Sequence, residues 1–242
     1  MSAPNPTILL HVSDLHGRRP WFDWIAAQAE KQGWGVAISG DMLNGDAVQT
    51  YAELKREIES QKTWIKNWVR AVRFPLFICS GNHDVILDED ATWLRGLARP
   101  GVTVNGCGHL ADRIIAFLPW ACGPEAFLTP QTLAADIWLH HQPPAESGLS
   151  HAETDDAMDF GSDNLVAALS PAWMANTRLV LSGHVHTSKR WHAHCGQALC
   201  FNVAPHDFST AVPRHIIIDL GAGTAVLNDD DQRERVSLQK WA

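Results

Sequence analysis

Short runs of consecutive apolar residues recur along the chain, and each is followed by a glycine, a proline or a polar residue. Runs of this length, rich in β-branched, leucine and aromatic residues, are typical of strands that are buried on both faces. The predicted strands are 8–12, 36–39, 76–80, 114–118, 137–140, 179–182 and 216–220.

Apolar residues at helical spacing fill the gaps between the first strands. The first predicted helix begins near Pro20 and ends at Gly33, because proline is common in the first helical turn and glycine after the last. The longest predicted helix spans 47–72, with Asp46 as its N-cap, and Pro75 prevents its continuation. Shorter helices are predicted at 89–98 and 162–169.

The alternation of strands and helices in the first half predicts an α/β fold with a partly parallel sheet. From residue 179 onward the chain contains mostly strand patterns, which predicts a second sheet in the same domain. No stretch rich in proline, glycine and serine divides the chain, so we expect one domain over 1–242. The stretch 143–163 has no apolar periodicity and is the longest predicted loop.

Composition and charge narrow the classes of partner. With 242 residues, 45% hydrophobic and 19% charged, the chain has the composition of a globular protein. Its net charge of −8 disfavours an extended nucleic-acid or anionic-membrane surface. The five cysteines show no CxxC spacing, and we see neither a signal peptide nor an apolar run of membrane-spanning length. We therefore expect reduced thiols and a cytoplasmic protein.

Polar side chains of the kinds that bind metal ions lie at the ends of five predicted strands. Sites in α/β proteins are commonly built at these strand ends. The clusters are Asp14 and His16 in SDLHG, Asp41 in SGD, Asn82, His83 and Asp84 in SGNHD, His140 and His141 in LHHQPP, and His184 and His186 in SGHVH.

The donor chemistry of these clusters indicates transition-metal ions. Carboxylate, amide and imidazole groups without thiolate suit manganese, iron or zinc. Residues at i and i+2 of an extended backbone lie on the same side, so Asp14 and His16, or His184 and His186, can reach one centre. The candidate donors are too many for one tetrahedral ion, and we expect two ions. Asp41 is the only carboxylate alone in its loop, which makes it the candidate bridge.

The ordered series DxH, GD, GNHD, H and GHxH resembles the calcineurin-like metallophosphoesterase superfamily. The resemblance implies a four-layer αββα sandwich, in which two mixed β-sheets are flanked by helices and two metal ions lie at the strand ends. One ion would be held by Asp14, His16, Asp41 and His186. The other would be held by Asp41, Asn82, His140 and His184.

The same resemblance implies the reaction. A metal-bridging hydroxide would attack the phosphorus of a phosphate ester, His83 would protonate the leaving oxygen as general acid, and Asp84 would orient His83. Two carboxylates against two divalent ions leave the centre positive, which favours a phosphate. Arg18, which follows the first motif, and His141, which follows His140, are candidate substrate contacts.

Departures from the family's motifs bear on the substrate. The segment GDMLNG lacks the arginine of the protein-phosphatase motif GDxVDRG, and a single domain leaves no room for the DNA-capping domain of the repair nucleases. The segment LHHQPP is similar to that of small bacterial phosphodiesterases. We expect a hydrolase of small phosphorylated substrates, either monoesters or diesters. A nuclease acting on short or single-stranded ends and a non-catalytic interaction scaffold are the alternatives.

Overall fold

Two β-sheets lie face to face in the computed structural model, which describes residues 6–46, 48–88, 90–173, 175–230 and 232–238. The strands, in chain order, are β1 (Ile8–Val12), β2 (Gly35–Ser39), β3 (Leu76–Cys79), β4 (Val102–Val104), β5 (Cys107–Leu110), β6 (Arg113–Leu118), β7 (Ile137–His140), β8 (His151–Ala152), β9 (Asp155–Asp159), β10 (Leu179–Ser182), β11 (His192–Cys195), β12 (Ala198–Asn202), β13 (His215–Asp219), β14 (Thr224–Asp229) and β15 (Gln232–Ser237). The seven strands predicted from the apolar runs are all present, with ends that differ by at most one residue.

Both large sheets combine a parallel centre with antiparallel edges. The first sheet has the strand order β15-β14-β13-β1-β2-β3-β4, with β1 to β4 parallel and β13 to β15 antiparallel. The second has the order β11-β12-β10-β7-β6-β5, and β6, β7, β10 and β12 are parallel. Because parallel strands end at the same edge, each sheet gathers several loops at one edge.

The helices cover the outer faces of the two sheets. They are α1 (Arg19–Gln32), α2 (Tyr51–Ala71), α3 (Thr92–Arg95), α4 (Pro124–Phe127), α5 (Pro130–Ala134) and α6 (Asp163–Ala168). Short 3₁₀ turns are formed by His83–Val85 and Pro171–Trp173.

Two helix predictions need correction at their N-terminal ends. Helix α2 begins after Thr50 because Thr50 and Glu53 form a reciprocal capping box, so Asp46 is not its cap. Helix α3 begins only at Thr92, because the Asp88 carboxylate accepts hydrogen bonds from the Thr92 hydroxyl and the Trp93 N–H. Residues 47 and 89, where the two helices were predicted to begin, lie outside the described residues.

Three buried apolar clusters define the layers. One lies between the sheets and includes Leu9, Phe77 and Phe201. A second packs α1 and α2 on the first sheet, and a third packs α4 and α6 on the second sheet. Burial of each large apolar side chain contributes about 1.5–3 kcal/mol, so all three interfaces stabilise the fold. The arrangement is the expected four-layer αββα sandwich.

The last third of the chain departs from the prediction of a separate second sheet after residue 179. Strands β10 to β12 do join the second sheet, but β13 to β15 return to the first, where β13 pairs antiparallel with β1. The stretch 143–163, predicted as a loop, contains the two-stranded hairpin β8–β9. None of the helices in the described part of the chain combines the length and apolarity needed to cross a membrane. The cytoplasmic location stays a prediction.

A candidate two-metal centre

The five polar clusters meet where the carboxyl ends of parallel strands from both sheets face each other. Asp14 and His16 follow β1, Asp41 follows β2, and Asn82 and His83 follow β3 in the first sheet. His141 follows β7, and His184 and His186 follow β10 in the second sheet. The sandwich therefore brings together side chains that are as many as 172 residues apart, such as Asp14 and His186.

Backbone hydrogen bonds fasten the first two loops to each other. The N–H groups of Asp14, His16 and Gly17 donate to the carbonyls of Gly40, Asp41 and Met42 over 3.1, 3.0 and 2.8 Å. One side chain from outside the two loops holds the second of them to α2: Gln61 accepts from the Asn44 N–H and donates to the Asn44 carbonyl. The first two motifs thus form one rigid unit.

Several of the site residues have an unusual backbone conformation. Asp14, His16, Asp41 and His184 have φ angles of 53°, 41°, 54° and 73°, in the left-handed region that residues other than glycine rarely adopt. Such conformations carry a cost of about 1–3 kcal/mol each and cluster at functional sites. Four of them around one point indicate that the fold holds these side chains where function requires them.

Two motif glycines make room for the carboxylates. A Cβ atom on Gly81 would overlap Asp41 Oδ1, and a Cβ on Gly183 would overlap the side chains of Ser13 and Asp14. Neither glycine has a positive φ, so the close approach, and not backbone freedom, requires glycine at both positions.

Imidazole nitrogens and carboxylate oxygens converge at the centre of the cluster. His186 Nε2 lies 3.1 Å from Asp14 Oδ1. His141 Nε2 lies 3.2 Å from Asp41 Oδ2 and 3.1 Å from Asn82 Oδ1. His16 Nε2 lies 3.9 Å from Asp14 Oδ1 and 4.0 Å from Asp41 Oδ2.

The hydrogen bond on the far side of His141 decides what its Nε2 can do. His141 Nδ1 lies 2.6 Å from the Ser39 carbonyl oxygen, which can only accept, so Nδ1 carries a proton. In the neutral ring Nε2 then presents a lone pair to two oxygen acceptors, so either a second proton or a metal ion must lie between them; a metal ion would take the place of the proton that the ring otherwise holds there. Ligating histidines are commonly fixed in this way, with the second ring nitrogen bound to a backbone carbonyl.

His16 provides a second sign that the residues fit metal ions. It is 6% exposed, and neither of its ring nitrogens has a hydrogen-bond partner among the described residues. A buried polar atom without a partner is costly, and a metal ion would satisfy it. Three groups with metal-ligand spacing share this region: Asp14, His16 and His186; Asp14, Asp41 and His141; and His16, Asp46 and His83.

The electrostatics of the cluster favour added positive charge. Burial alone would raise the pKa of Asp14 and of Asp41, but the neighbouring imidazoles, above all that of His141, hold the pKa of each carboxyl below its usual range. Burial lowers the pKa of His141, yet the Asp41 and Asp14 carboxylates overcome this effect and raise it to about 9. Burial lowers the pKa of His184 to about 4. His184 is thus neutral near pH 7, as a ligand must be.

The structure places His140 outside the cluster, in contrast to the expectation that it holds a metal. Its Nδ1 donates to the Leu118 carbonyl over 3.2 Å, and its ring lies 5.4 Å from that of Phe127 in the helical layer. Successive side chains of a strand face opposite sides, so His140 shares the outer face of β7 with Trp138. His141, expected to contact substrate, is instead fully buried within the cluster.

Asp84 also differs from its expected role as the partner of His83. Its buried carboxylate accepts hydrogen bonds of 2.8, 3.0, 3.2 and 2.9 Å from the N–H groups of Asp41, Met42, Leu43 and Gly81. Burial and the nearby Asp41 raise the pKa of Asp84 to about 7, although these donors oppose the shift. Asp84 therefore ties the Asp41 loop to the loop that carries Asn82 and His83.

His83 lies at the mouth of the cluster and is half-buried. Its N–H donates to Asp41 Oδ1 over 2.8 Å, and its ring centroid is 4.5 Å from that of His16. The carboxylate nearest to its Nδ1 belongs to Asp46, whose Oδ1 is 3.9 Å away. Arg18 packs its guanidinium 4.9 Å from the ring of Trp21, so its cationic group is engaged beside the cluster.

Sequence reasoning missed three residues that border the cluster. Trp120 follows β6 and lies 5.6 and 5.3 Å from the rings of His141 and His184. Phe208, in the segment after β12, lies 5.3 and 5.0 Å from the rings of His16 and His186. Asp46 is the third. The position of Trp120 directly after an apolar run is the one sequence signal that could have found it.

The sequence comparison agrees with this geometry. The chain matches the family model for calcineurin-like phosphoesterases over residues 8–188, which is most of its length. The chain belongs to the calcineurin-like phosphoesterase family. No curated protein matches the sequence.

Solved structures show a related fold at low sequence identity. One crystal structure superposes with a TM-score of 0.57 at 13% identity, covering 97% of this chain and 100% of the other. The protein TT1561 of Thermus thermophilus gives a TM-score of 0.56 at 13% identity, covering 96% and 99%. A novel archaeal phosphodiesterase gives 0.49 at 13% identity, covering 96% and 99%. At this identity the first two likenesses support the fold alone.

Proposed function

We propose that the protein is a metal-dependent hydrolase of small phosphate esters with a two-ion centre. The observation that carries the proposal is His141 Nε2 facing Asp41 and Asn82 while Nδ1 donates to the Ser39 carbonyl. One ion would be held by Asp14, His16, Asp41 and His186. The other would be held by Asp41, Asn82, His141 and His184, with His141 in the place first assigned to His140.

The protein's own residues would position the ester and move the proton. Bound divalent ions would lower the pKa of water from 15.7 toward about 7 and stabilise the charge that develops at phosphorus. His83 lies at the open side of the cluster, 4.5 Å from His16, where it could protonate the leaving oxygen. Asp46, rather than Asp84, would orient His83, provided that its Oδ1, now 3.9 Å from His83 Nδ1, closes to hydrogen-bond distance. The manganese, iron or zinc identity of the ions stays a prediction.

The surroundings of the centre favour a small ester over a polymer. The chain carries a net charge of −8, and Asp46 is 73% exposed beside His83, so the centre has acidic neighbours. A nucleic acid needs a path of cations beyond the scissile phosphate, and the arginine that follows the first motif, Arg18, packs on Trp21. A nuclease acting on short single-stranded ends is the second candidate, because such a substrate makes few contacts. A scaffold without turnover is disfavoured by the assembled donors.

The experiment is an activity panel with a matched variant. The purified protein is stripped with chelator, reloaded with manganese, iron, zinc, cobalt or nickel, and assayed on p-nitrophenyl phosphate, bis-p-nitrophenyl phosphate and a short single-stranded DNA. We expect metal-dependent hydrolysis of the small esters. His83→Ala should keep its metal content and lower kcat by at least 100-fold on an alkyl phosphate ester, but by less on the nitrophenyl esters, whose leaving group hardly needs protonation. Absence of hydrolysis with every metal would overturn the proposal, and cleavage of the DNA alone would favour the nuclease.

A further inference from the structure

Aromatic side chains border the centre on two sides, and their placement is not explained by the metal chemistry. Trp120 and Phe160 both lie beside His184, with ring centroids 5.3 and 6.4 Å from its ring. Phe208 lies beside His16 and His186. All three aromatic rings belong to partly exposed residues, so each can offer surface to a bound molecule.

The position of His83 distinguishes the two sides. Its ring lies 4.5 Å from that of His16, which in turn lies 5.3 Å from Phe208. A general acid must reach the leaving oxygen, so the leaving group of an ester would lie on the His83 and Phe208 side. The group that stays on phosphorus is bonded through a different oxygen, and Trp120, beside His141 and His184, offers it a surface away from the leaving group.

The backbone around Trp120 is held firmly enough to make a binding surface. Its N–H donates to the Ser80 hydroxyl over 2.9 Å, which ties it to the loop that carries Asn82. It occupies the second position of a turn in which the Cys122 N–H donates to the Pro119 carbonyl, and Ala121 has a φ of 54°. A fixed aromatic ring binds a planar group at little cost in conformational entropy.

We propose that Trp120, with Phe160 beside it, binds a planar aromatic group that stays on phosphorus in a singly charged phosphodiester. This inference rests on the proposed phosphoesterase activity. A diester keeps an organic group on phosphorus that Trp120 and Phe160 can bind, whereas a monoester keeps none. Its single negative charge also suits a centre whose acidic neighbour Asp46 would repel further anionic groups.

The first test compares two diesters that share a leaving group. Methyl p-nitrophenyl phosphate and phenyl p-nitrophenyl phosphate both release nitrophenolate and differ only in the retained group. We expect kcat/KM to be about tenfold higher for the phenyl diester, since stacking on an aromatic side chain gives an effect of this order. Trp120→Ala should remove that preference, so that the ratio of the two kcat/KM values falls to about one, and Trp120→Phe should keep part of it.

Two further variants separate stacking from general damage. Phe208→Ala should change both diesters by the same factor, because it borders the side of their common leaving group. Trp173→Ala should change neither, since Trp173 is 45% exposed and precedes β10, at the opposite end of that strand from the site. If Trp120→Ala lowers both diesters equally, the assignment of Trp120 is overturned while the hydrolase activity stands.

The second test measures binding without turnover. Methylphenylphosphinate and dimethylphosphinate are singly charged and contain no ester bond to hydrolyse. Calorimetry with the manganese-loaded protein should give about tenfold tighter binding of the phenyl compound, and Trp120→Ala should abolish the difference. Equal affinities in the parent protein would overturn the inference. If neither diester is hydrolysed, the proposed function fails, and the phosphinate result still decides whether Trp120 binds a planar group.

Discussion

His141 donates from Nδ1 to the Ser39 carbonyl over 2.6 Å, and this one hydrogen bond turns its Nε2 toward Asp41 and Asn82. Ser39 is the last residue of β2 and His141 the first after β7, so the bond joins the two sheets at the site. The same carbonyl accepts from the Ser13 hydroxyl over 3.0 Å, which ties the loop that carries Asp14 to this point. The placement of one sheet against the other therefore sets the geometry of the proposed metal ligands.

The adjacent histidines give a matched test of that geometry. His141→Ala should weaken binding of at least one metal ion by 100-fold or more, because it removes a ligand. His140→Ala should leave the metal content unchanged and lower the free energy of unfolding by about 2–4 kcal/mol through the lost hydrogen bond to Leu118 and the cavity beside Phe127. Elemental analysis and urea unfolding check the pair, and loss of metal from the His140 variant would contradict the assignment.

Because Gly81 lies so close to Asp41, a single added methyl group should disturb the Asp41 carboxylate, which we propose contacts both metal ions. Gly81→Ala should weaken metal binding at least tenfold and lower Tm, because the added Cβ must displace the Asp41 carboxylate or its loop. Gly106→Ala is the control, since the nearest atom to its added Cβ is 3.7 Å away, and it should stay within about 0.5 kcal/mol of the parent. If the two variants bind metal with equal affinity in titrations, the approach of Gly81 to Asp41 is not tight enough to matter.

The two aspartates near His83 should give different phenotypes. Asp84→Asn replaces an acceptor of several backbone N–H groups with an amide whose NH₂ opposes them. It should cost about 2–4 kcal/mol of stability and weaken metal binding. Asp46→Asn should keep stability and metal content and lower kcat, more for poor leaving groups than for nitrophenolate. Equal losses for good and poor leaving groups in the Asp46 variant would remove it from the orienting role.

His11 gives a stability prediction that depends on pH. Burial lowers its pKa to about 3, with Asp14 opposing, so the folded protein keeps it neutral while the unfolded chain protonates it near 6.5. The unfolded state then binds more protons below pH 6.5, and stability falls as the pH falls toward 3, by up to about 1.4 kcal/mol per unit. In chelator, His11→Gln should show a slope between pH 6 and 4.5 that is shallower by about one proton. An unchanged slope would mean that His11 does not titrate on unfolding.

The positions of seven strands along the chain and the polar residues that follow them were predictable, because both follow from local pattern. Buried parallel strands are apolar on both faces, so they stand out in the sequence. For the same reason their sequence does not show which residues face which side of the sheet. In β7 the apolar residues Ile137 and Trp138 face opposite sides, and nothing local tells which of His140 and His141 faces the site. That information lies in the packing of the two sheets.

The other corrections have similarly non-local causes. The return of β13 to the first sheet depends on pairing with β1, more than 200 residues away in sequence, which no local pattern encodes. Asp84 acquires its role from backbone N–H groups of a different loop, so its motif alone suggested a partner beside it. Trp120 and Phe208 lie in irregular segments, where periodicity has no meaning. The Thr50–Glu53 capping box, in contrast, was a local signal that the sequence contained.

The most direct test of the two-metal proposal is a crystal structure of the manganese-loaded protein with anomalous data collected at the manganese edge. We predict two anomalous peaks, one among Asp14, His16 and His186 and one among Asn82, His141 and His184, with Asp41 in contact with both. A single peak, or a peak coordinated by His140 instead of His141, would contradict this account of the site.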